Sequence, residues 1–363
     1  MKKEKNKKTR SSSTLNKSIL EKIRSEVLTL EKRLIKFRRE IHENPELSGG
    51  EVETASFIAG VLEDNDIEVK KNLGGHGLVG LLRGTLKKDS KKTIALRADM
   101  DALPINDNKK TKYASKVEGV MHACGHDVHS AILMGTAIVL SRMKNDFSGN
   151  VKFIFQPSEE VSGAGADVMI AEGVLKNPKP SAIIALHCYP ELGVGKIAHH
   201  RGTAAASADA ITIKIKGKSG HASRPHQSVD AILVSALVLN SLHHLVSRRI
   251  DPLQNTVISI GKIKGGTAQN IIASSVEMQG TVRTLDTGVR KKMPTMIENV
   301  LRGVTLSMGA EYEFSYDLEI PQVENDPKID GLLRRSAVLA LGKDNVIELE
   351  KPLMGSEDFA FFT

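Results

Sequence analysis

The chain has 363 residues, 40% of them hydrophobic and 26% charged, with no Trp and only 4% aromatic residues. That composition belongs to a globular protein long enough for two domains, and it excludes collagen, coiled coil and disorder as the main state. The net charge of +8 is concentrated at the start, where residues 1–18 hold seven Lys or Arg against Glu4 alone. The remaining chain is nearly balanced, so the overall basic charge does not imply a nucleic-acid surface.

Two cysteines, Cys124 and Cys188, are too few for a disulfide framework. The longest apolar run, residues 131–140, is too short to span a bilayer. The basic N-terminus lacks the apolar stretch of a secretory signal. A solvated tail over 1–18 on a cytoplasmic protein is therefore expected, with organelle targeting by that tail left open. Neither a nucleic-acid nor a membrane partner is expected.

Residues 19–46 carry apolar side chains at helical spacing (Leu20, Ile23, Val27, Leu30, Leu34) and stop at Asn44-Pro45. A second helix is predicted over 51–63, strands over 78–83 and 93–97, a helix over 128–143, and strands over 151–155 and 181–187. Strands alternating with helices predict a mixed, largely parallel central sheet flanked by helices. The pattern changes near 207. Ile211, Ile213 and Ile215 alternate with Thr212, Lys214 and Lys216, as in a half-buried strand. A helix (228–246), strands (256–263 and 276–283), a helix (289–308) and a strand (312–316) follow, predicting an inserted α+β domain. The chain then returns to a helix (329–341) and a strand (346–349). The stretch from Gly75 to Gly80 matches G-x-G-x-x-G, but a strand follows it where a dinucleotide site needs a helix.

Four places carry chemistry. Met121-His122-Ala123-Cys124-Gly125-His126-Asp127-Val128-His129 crowds a thiol, imidazoles and a carboxylate into nine positions. Late first-row metals favour such a set, although a loop with chance histidines has the same composition. The strand over 151–155 runs into Glu159 and Glu160, and ligands bind beyond the carboxyl ends of parallel strands; a solvated acidic turn is the plainer alternative. A third apolar strand ends at His187, with Cys188 read as packing. Arg97-Ala98-Asp99-Met100-Asp101 adds two carboxylates, with Asp101 placed to orient a ligating His and an Asx turn before Pro104 as the equal alternative.

In these stretches the sequence resembles the M20 metallopeptidase/amidohydrolase family, in its N-acyl-amino-acid hydrolase branch (hippurate, auxin-conjugate and N-acetyl-diaminopimelate hydrolases). The matching motifs are RREIH at 38–42 through Pro45-Glu46-Leu47, RADMDALP at 97–104, MHACGHD at 121–127, FQPSEE at 155–160, Gly220-His221-Ala222 through Pro225-His226, Gly265-Gly266-Thr267 through Asn270, GTVR at 280–283 and GSEDF at 355–359. The resemblance implies a zinc-aminopeptidase-like catalytic domain, placed here at 19–206 plus 319–363, and an inserted lid and dimerisation domain at 207–318. It implies two divalent metal ions, zinc or manganese with cobalt or nickel as further choices, held by Cys124, His126, Glu160 and His187. Glu159 matches the general base, Asp101 a supporting carboxylate, and His221 a lid residue that reaches the reacting carbonyl. Asn270 and Arg283 match residues that meet the substrate's carboxylate. The implied substrate is a small N-acyl amino acid or a small peptide conjugate, and the implied assembly a homodimer. The family's last metal-ligating His lies downstream of GSEDF, whereas no His follows His244 here. The catalytic domain is accordingly expected to be C-terminally incomplete, and the alternative to an amidohydrolase is an impaired dimeric relative that binds metal or peptide.

Overall fold

The computed structural model describes the backbone of residues 2–86, 90 and 92–363, and side chains from residue 18 onward within those ranges. The tail expected over 1–18 falls, but for Ser18, outside the described side chains. The chain forms two compact units: Met1–His199 with Lys328–Glu348 and Phe362, and His200–Pro327 with Leu349–Phe361 and Thr363.

The first unit contains α1 (Lys2–Glu43), α2 (Val52–Glu63), β1 (Glu68–Leu73), β2 (Gly77–Thr85), β3 (Thr93–Asp99), α3 (His126–Arg142), β4 (Ser148–Gln156), α4 (Ala166–Ala171), β5 (Ala182–Ala185) and β6 (Ile197–His199). The second contains β7 (Gly202–Ala205), β8 (Ser207–Lys216), β9 (Gly220–His221), α5 (Ala231–Arg249), β10 (Thr256–Gly265), β11 (Ile271–Ile272), β12 (Ser275–Thr284), α6 (Thr287–Met308), β13 (Glu311–Ile320) and β14 (Val323–Asn325). The chain then re-enters the first unit with α7 (Pro327–Leu341) and β15 (Val346–Glu348).

The class is the mixed α/β expected. The central sheet has the order β1-β2-β4-β3-β5. β3 pairs in parallel with both β4 and β5, while β1 and β2 extend the sheet antiparallel. Phe153 and Phe155 of β4, Leu78 and Leu82 of β2, Ile58 and Leu62 of α2, and Met134 and Ile138 of α3 form its buried core. Burial of side chains of this size contributes about 1.5–3 kcal/mol each.

In the second unit, a four-stranded sheet of order β10-β12-β8-β13 is antiparallel throughout. One face is covered by α5, through Val234, Val238 and Leu242, and by α6, through Met293, Ile297 and Leu301. That spacing of four keeps one stripe of each helix on the sheet. Ile211, Ile213 and Ile215 of β8 are buried beneath them, as their alternation requires.

Candidate metal centre

The parallel strands bring chemistry to one sheet edge. Asp99, the last residue of β3, pairs with Gln156, the last of β4, and Arg97 pairs with Ala185, the last of β5. The segments leaving these carboxyl ends therefore start side by side. They carry Asp101, then Glu159 and Glu160, then His187. The expected strand through His187 stops at Ala185, so hydrogen bonds rather than the pleat aim His187 and Cys188. The helix expected from 128 begins at His126, which places that imidazole in the first turn of α3.

Two local features shape the loops. Gly125, the residue before α3, has φ +94°, and a Cβ there would stand 3.1 Å from both Cβ and Sγ of Cys188. Ser158 has φ +55°. Its N–H donates to buried Glu51 Oε1 at 2.8 Å, so Glu51 holds the turn that presents Glu159 and Glu160. Burial pushes the Glu51 carboxyl up, against the hydrogen bonds it accepts.

His126 is the centre of the cluster. Its Nδ1 lies 3.1 Å from Asp101 Oδ1, so in the neutral ring that a metal requires the proton sits on Nδ1 and Nε2 carries the lone pair. That buried Nε2 has no hydrogen-bond partner, and Glu160 Oε1 is likewise buried and unpartnered. The two lie 3.8 Å apart, and Glu159 Oε2 lies 3.9 Å from the same nitrogen. His187 repeats the arrangement: Nδ1 bonds to the Cys188 carbonyl at 2.7 Å, and Nε2 lies 3.6 Å from Cys124 Sγ. Asp101 is secured in turn by the Ser48 hydroxyl at 2.7 Å and the Glu160 amide at 3.0 Å, both on Oδ2.

Ligand atoms of Cys124, His126 and His187 all lie within 4.8 Å of one another, as do those of His126, Glu159 and Glu160. Tetrahedral ligands at bond lengths of about 2.0–2.3 Å stand about 3.3–3.8 Å apart, so the residues fit a divalent cation. The electrostatics agree. Burial would lower the His126 pKa, but the Asp99 charge and the Asp101 hydrogen bond push it up to about 12. The anionic surroundings therefore favour positive charge there. The Cys124 hydrogen bond pushes His187 up as well, and burial raises the Glu160 carboxyl.

The first unit thus brings together Cys124, His126, Glu159, Glu160, His187 and Asp101. His221, Asn270 and Arg283 belong to the second unit. There His221 pairs with Ile271 across β9 and β11, and the Ala222 amide donates to the Asn270 carbonyl at 3.0 Å. His221 Nδ1 accepts from the Ser223 amide at 3.1 Å, so its proton sits on Nε2. Arg283 lies on a different sheet, in β12, and donates to the Ser356 hydroxyl at 3.2 Å. Sequence reading gave no role to His129, Ser48 or Glu51. For His129 a signal existed: it lies three residues after His126, on the same helix face. Ser48 and Glu51 act across long sequence separations and leave no local pattern.

Residues 95–363 match the model for peptidase family M20/M25/M40. The chain is 40% identical over 331 residues to the N-acetylcysteine deacetylase of Bacillus subtilis (strain 168), covering 91% of this chain and 85% of that one. It is 39% identical over 303 residues to the N-acyl-L-amino acid amidohydrolase of Geobacillus stearothermophilus, with 82% and 80% covered. Among solved structures it resembles the YXEP protein of Bacillus subtilis, described as a dinuclear metal-binding peptidase from the M20 family. That match has a TM-score of 0.79 and 36% identity, and covers 92% of this chain and 86% of the other.

Proposed function

Because the chain belongs to peptidase family M20/M25/M40 and is an amide-cleaving enzyme, we propose that it hydrolyses the amide bond of N-acyl amino acids, with Glu159 as general base. The observation that carries this reading is the pair of imidazoles, His126 and His187, each tied at Nδ1 with its Nε2 turned toward a thiol or a carboxylate. Cys124, His126, Glu160 and His187 would hold two divalent ions, zinc or manganese, with cobalt or nickel as alternatives. Those ions, when bound, supply the Lewis acidity that activates water and polarises the amide carbonyl.

The protein's own groups do the rest. Asp101 fixes the His126 tautomer and, through the Glu160 amide, ties that loop to the same carboxylate. Glu159 takes a proton from the attacking water and returns it to the leaving amine. In the second unit, His221 carries its proton on Nε2, the form that donates to a developing oxyanion. Arg283 suits a planar carboxylate by paired hydrogen bonds, with Asn270 as a further contact. The chain would work as a homodimer through its second unit.

Elemental analysis, combined with hydrolysis of hippurate and N-acetyl amino acids, tests the reading. Two metals per chain and metal-dependent turnover are expected, and under one metal with no turnover would point to a binding relative instead. Glu159→Gln should lower kcat by about 10²–10⁴-fold with metal content unchanged. Loss of metal in that variant would reverse the assignment of Glu159 and Glu160.

A further inference from the structure

We propose that His129 is a positioning residue that sets the direction of His187 by gripping the backbone of Cys188; the inference rests on reading His187 as a metal ligand. His129 is buried in α3, one turn beyond His126. Its Nε2 lies 2.8 Å from the Cys188 amide nitrogen. A backbone N–H only donates, so Nε2 is the unprotonated nitrogen and the ring proton sits on Nδ1. Nδ1 faces Asp99 Oδ1 at 2.6 Å. Both nitrogens are therefore engaged, and His129 has no lone pair for a metal, although it lies among ligand-type groups with Asp99 and His126.

The grip is anchored in the central sheet. Asp99 Oδ2 accepts from Arg97 Nη1 at 2.7 Å, and Arg97 Nε donates to Gln156 Oε1 at 2.8 Å. The Ser130 hydroxyl donates to the Asp99 carbonyl at 2.8 Å. A chain of hydrogen bonds thus runs from the end of β4, through β3 and α3, to the loop after β5. It ends on a residue held twice: His129 takes the Cys188 N–H, while the Cys188 carbonyl accepts from the His187 ring. The side chain of Cys188 rests against Gly125, the residue before His126. The His129 and His187 rings meet edge to face at 4.7 Å. Since His187 and Cys188 lie outside any strand, no ladder fixes them, and this contact does so.

Three substitutions separate the two bonds of His129. In His129→Gln the amide oxygen falls near the Nε2 position and keeps an acceptor for the Cys188 N–H. In His129→Asn the shorter side chain reaches only the Nδ1 position and keeps the bond to Asp99. His129→Leu removes both. Zinc affinity of each metal-free protein is measured by competition with a chromophoric chelator, and the cobalt(II) absorption spectrum reports ligand geometry. Urea midpoints of the metal-free proteins check folding. Expected is a loss of about 10–100-fold in zinc affinity for Asn and Leu, with an altered cobalt spectrum, and rescue to within about threefold by Gln. Equal affinities in all four proteins, or a Gln variant as weak as Asn, would overturn the proposal. If the Leu variant fails to fold, the Gln and Asn pair decides alone. No zinc uptake by the wild type would instead overturn the metal reading, and this inference with it.

Discussion

Gly125 is the residue on which two constraints meet. Its φ of +94° lies where a Cβ is strained, and that Cβ would press on the side chain of Cys188 at 3.1 Å. Gly125→Ala is expected to cost about 1–3 kcal/mol and to weaken metal binding, because relief must come from moving Cys188 or the first turn of α3. Urea denaturation with and without chelator measures both effects; an unchanged midpoint and unchanged metal content would show that the loop has slack. The same residue illustrates what was legible. Cys124, His126, Glu159, Glu160 and His187 stood out because each follows an apolar run or sits in a dense cluster of metal-type side chains. The groups that aim them did not. Glu51 meets Ser158 across 107 residues, and only the folded chain shows the contact. Cys188 was readable as packing, but its amide, the part His129 holds, has no side-chain signature.

Between elements, α1 is clipped to α3 by one carboxylate. Asp127 Oδ2 lies 2.8 Å from Arg38 Nε and 2.7 Å from His42 Nδ1, with Asp127 and His42 fully buried. Burial would raise the Asp127 carboxyl, but the His42 hydrogen bond, with Arg38 nearby, holds it below its ordinary value. A depressed carboxylate contributes stability above its unfolded pKa of about 3.9 and loses it as pH falls through the lower folded value. Asp127→Asn should therefore cost about 3 kcal/mol at neutral pH, and the deficit should shrink as pH drops below 4. Urea midpoints of metal-free wild type and variant across pH 3–8 check this, and a pH-independent deficit would assign the loss to packing alone. Element boundaries followed the same logic of local against distant causes. β8 was legible from its alternation. β1, an edge strand with four of six residues exposed, has no apolar pattern to reveal it. The helix predicted from 228 starts at 231, because Asp230 accepts from the Ile232 and Leu233 amides and caps α5.

At the scale of the molecule, α5 has two apolar faces. Ala231, Val234, Val238, Leu242 and Leu245 are buried against the second unit's core, while Ile232, Leu233 and Leu237 are 51%, 51% and 39% exposed. The helix is for that reason long and apolar enough, by length and composition, to cross a membrane. Its outer face is better explained by the proposed homodimer, together with β10, which is an edge of its sheet with Val257 and Ile263 exposed. In a two-fold interface each residue counts twice. Two leucines about half exposed then contribute roughly 3–6 kcal/mol to association, more than a hundredfold in Kd. Leu233→Glu with Leu237→Glu should accordingly shift a dimer to monomer in sedimentation equilibrium. Metal content should stay as in the wild type, because every proposed ligand lies in the first unit. A double variant that remains dimeric would move the interface elsewhere, and a wild type that sediments as a monomer would remove the dimer from the reading of this chain.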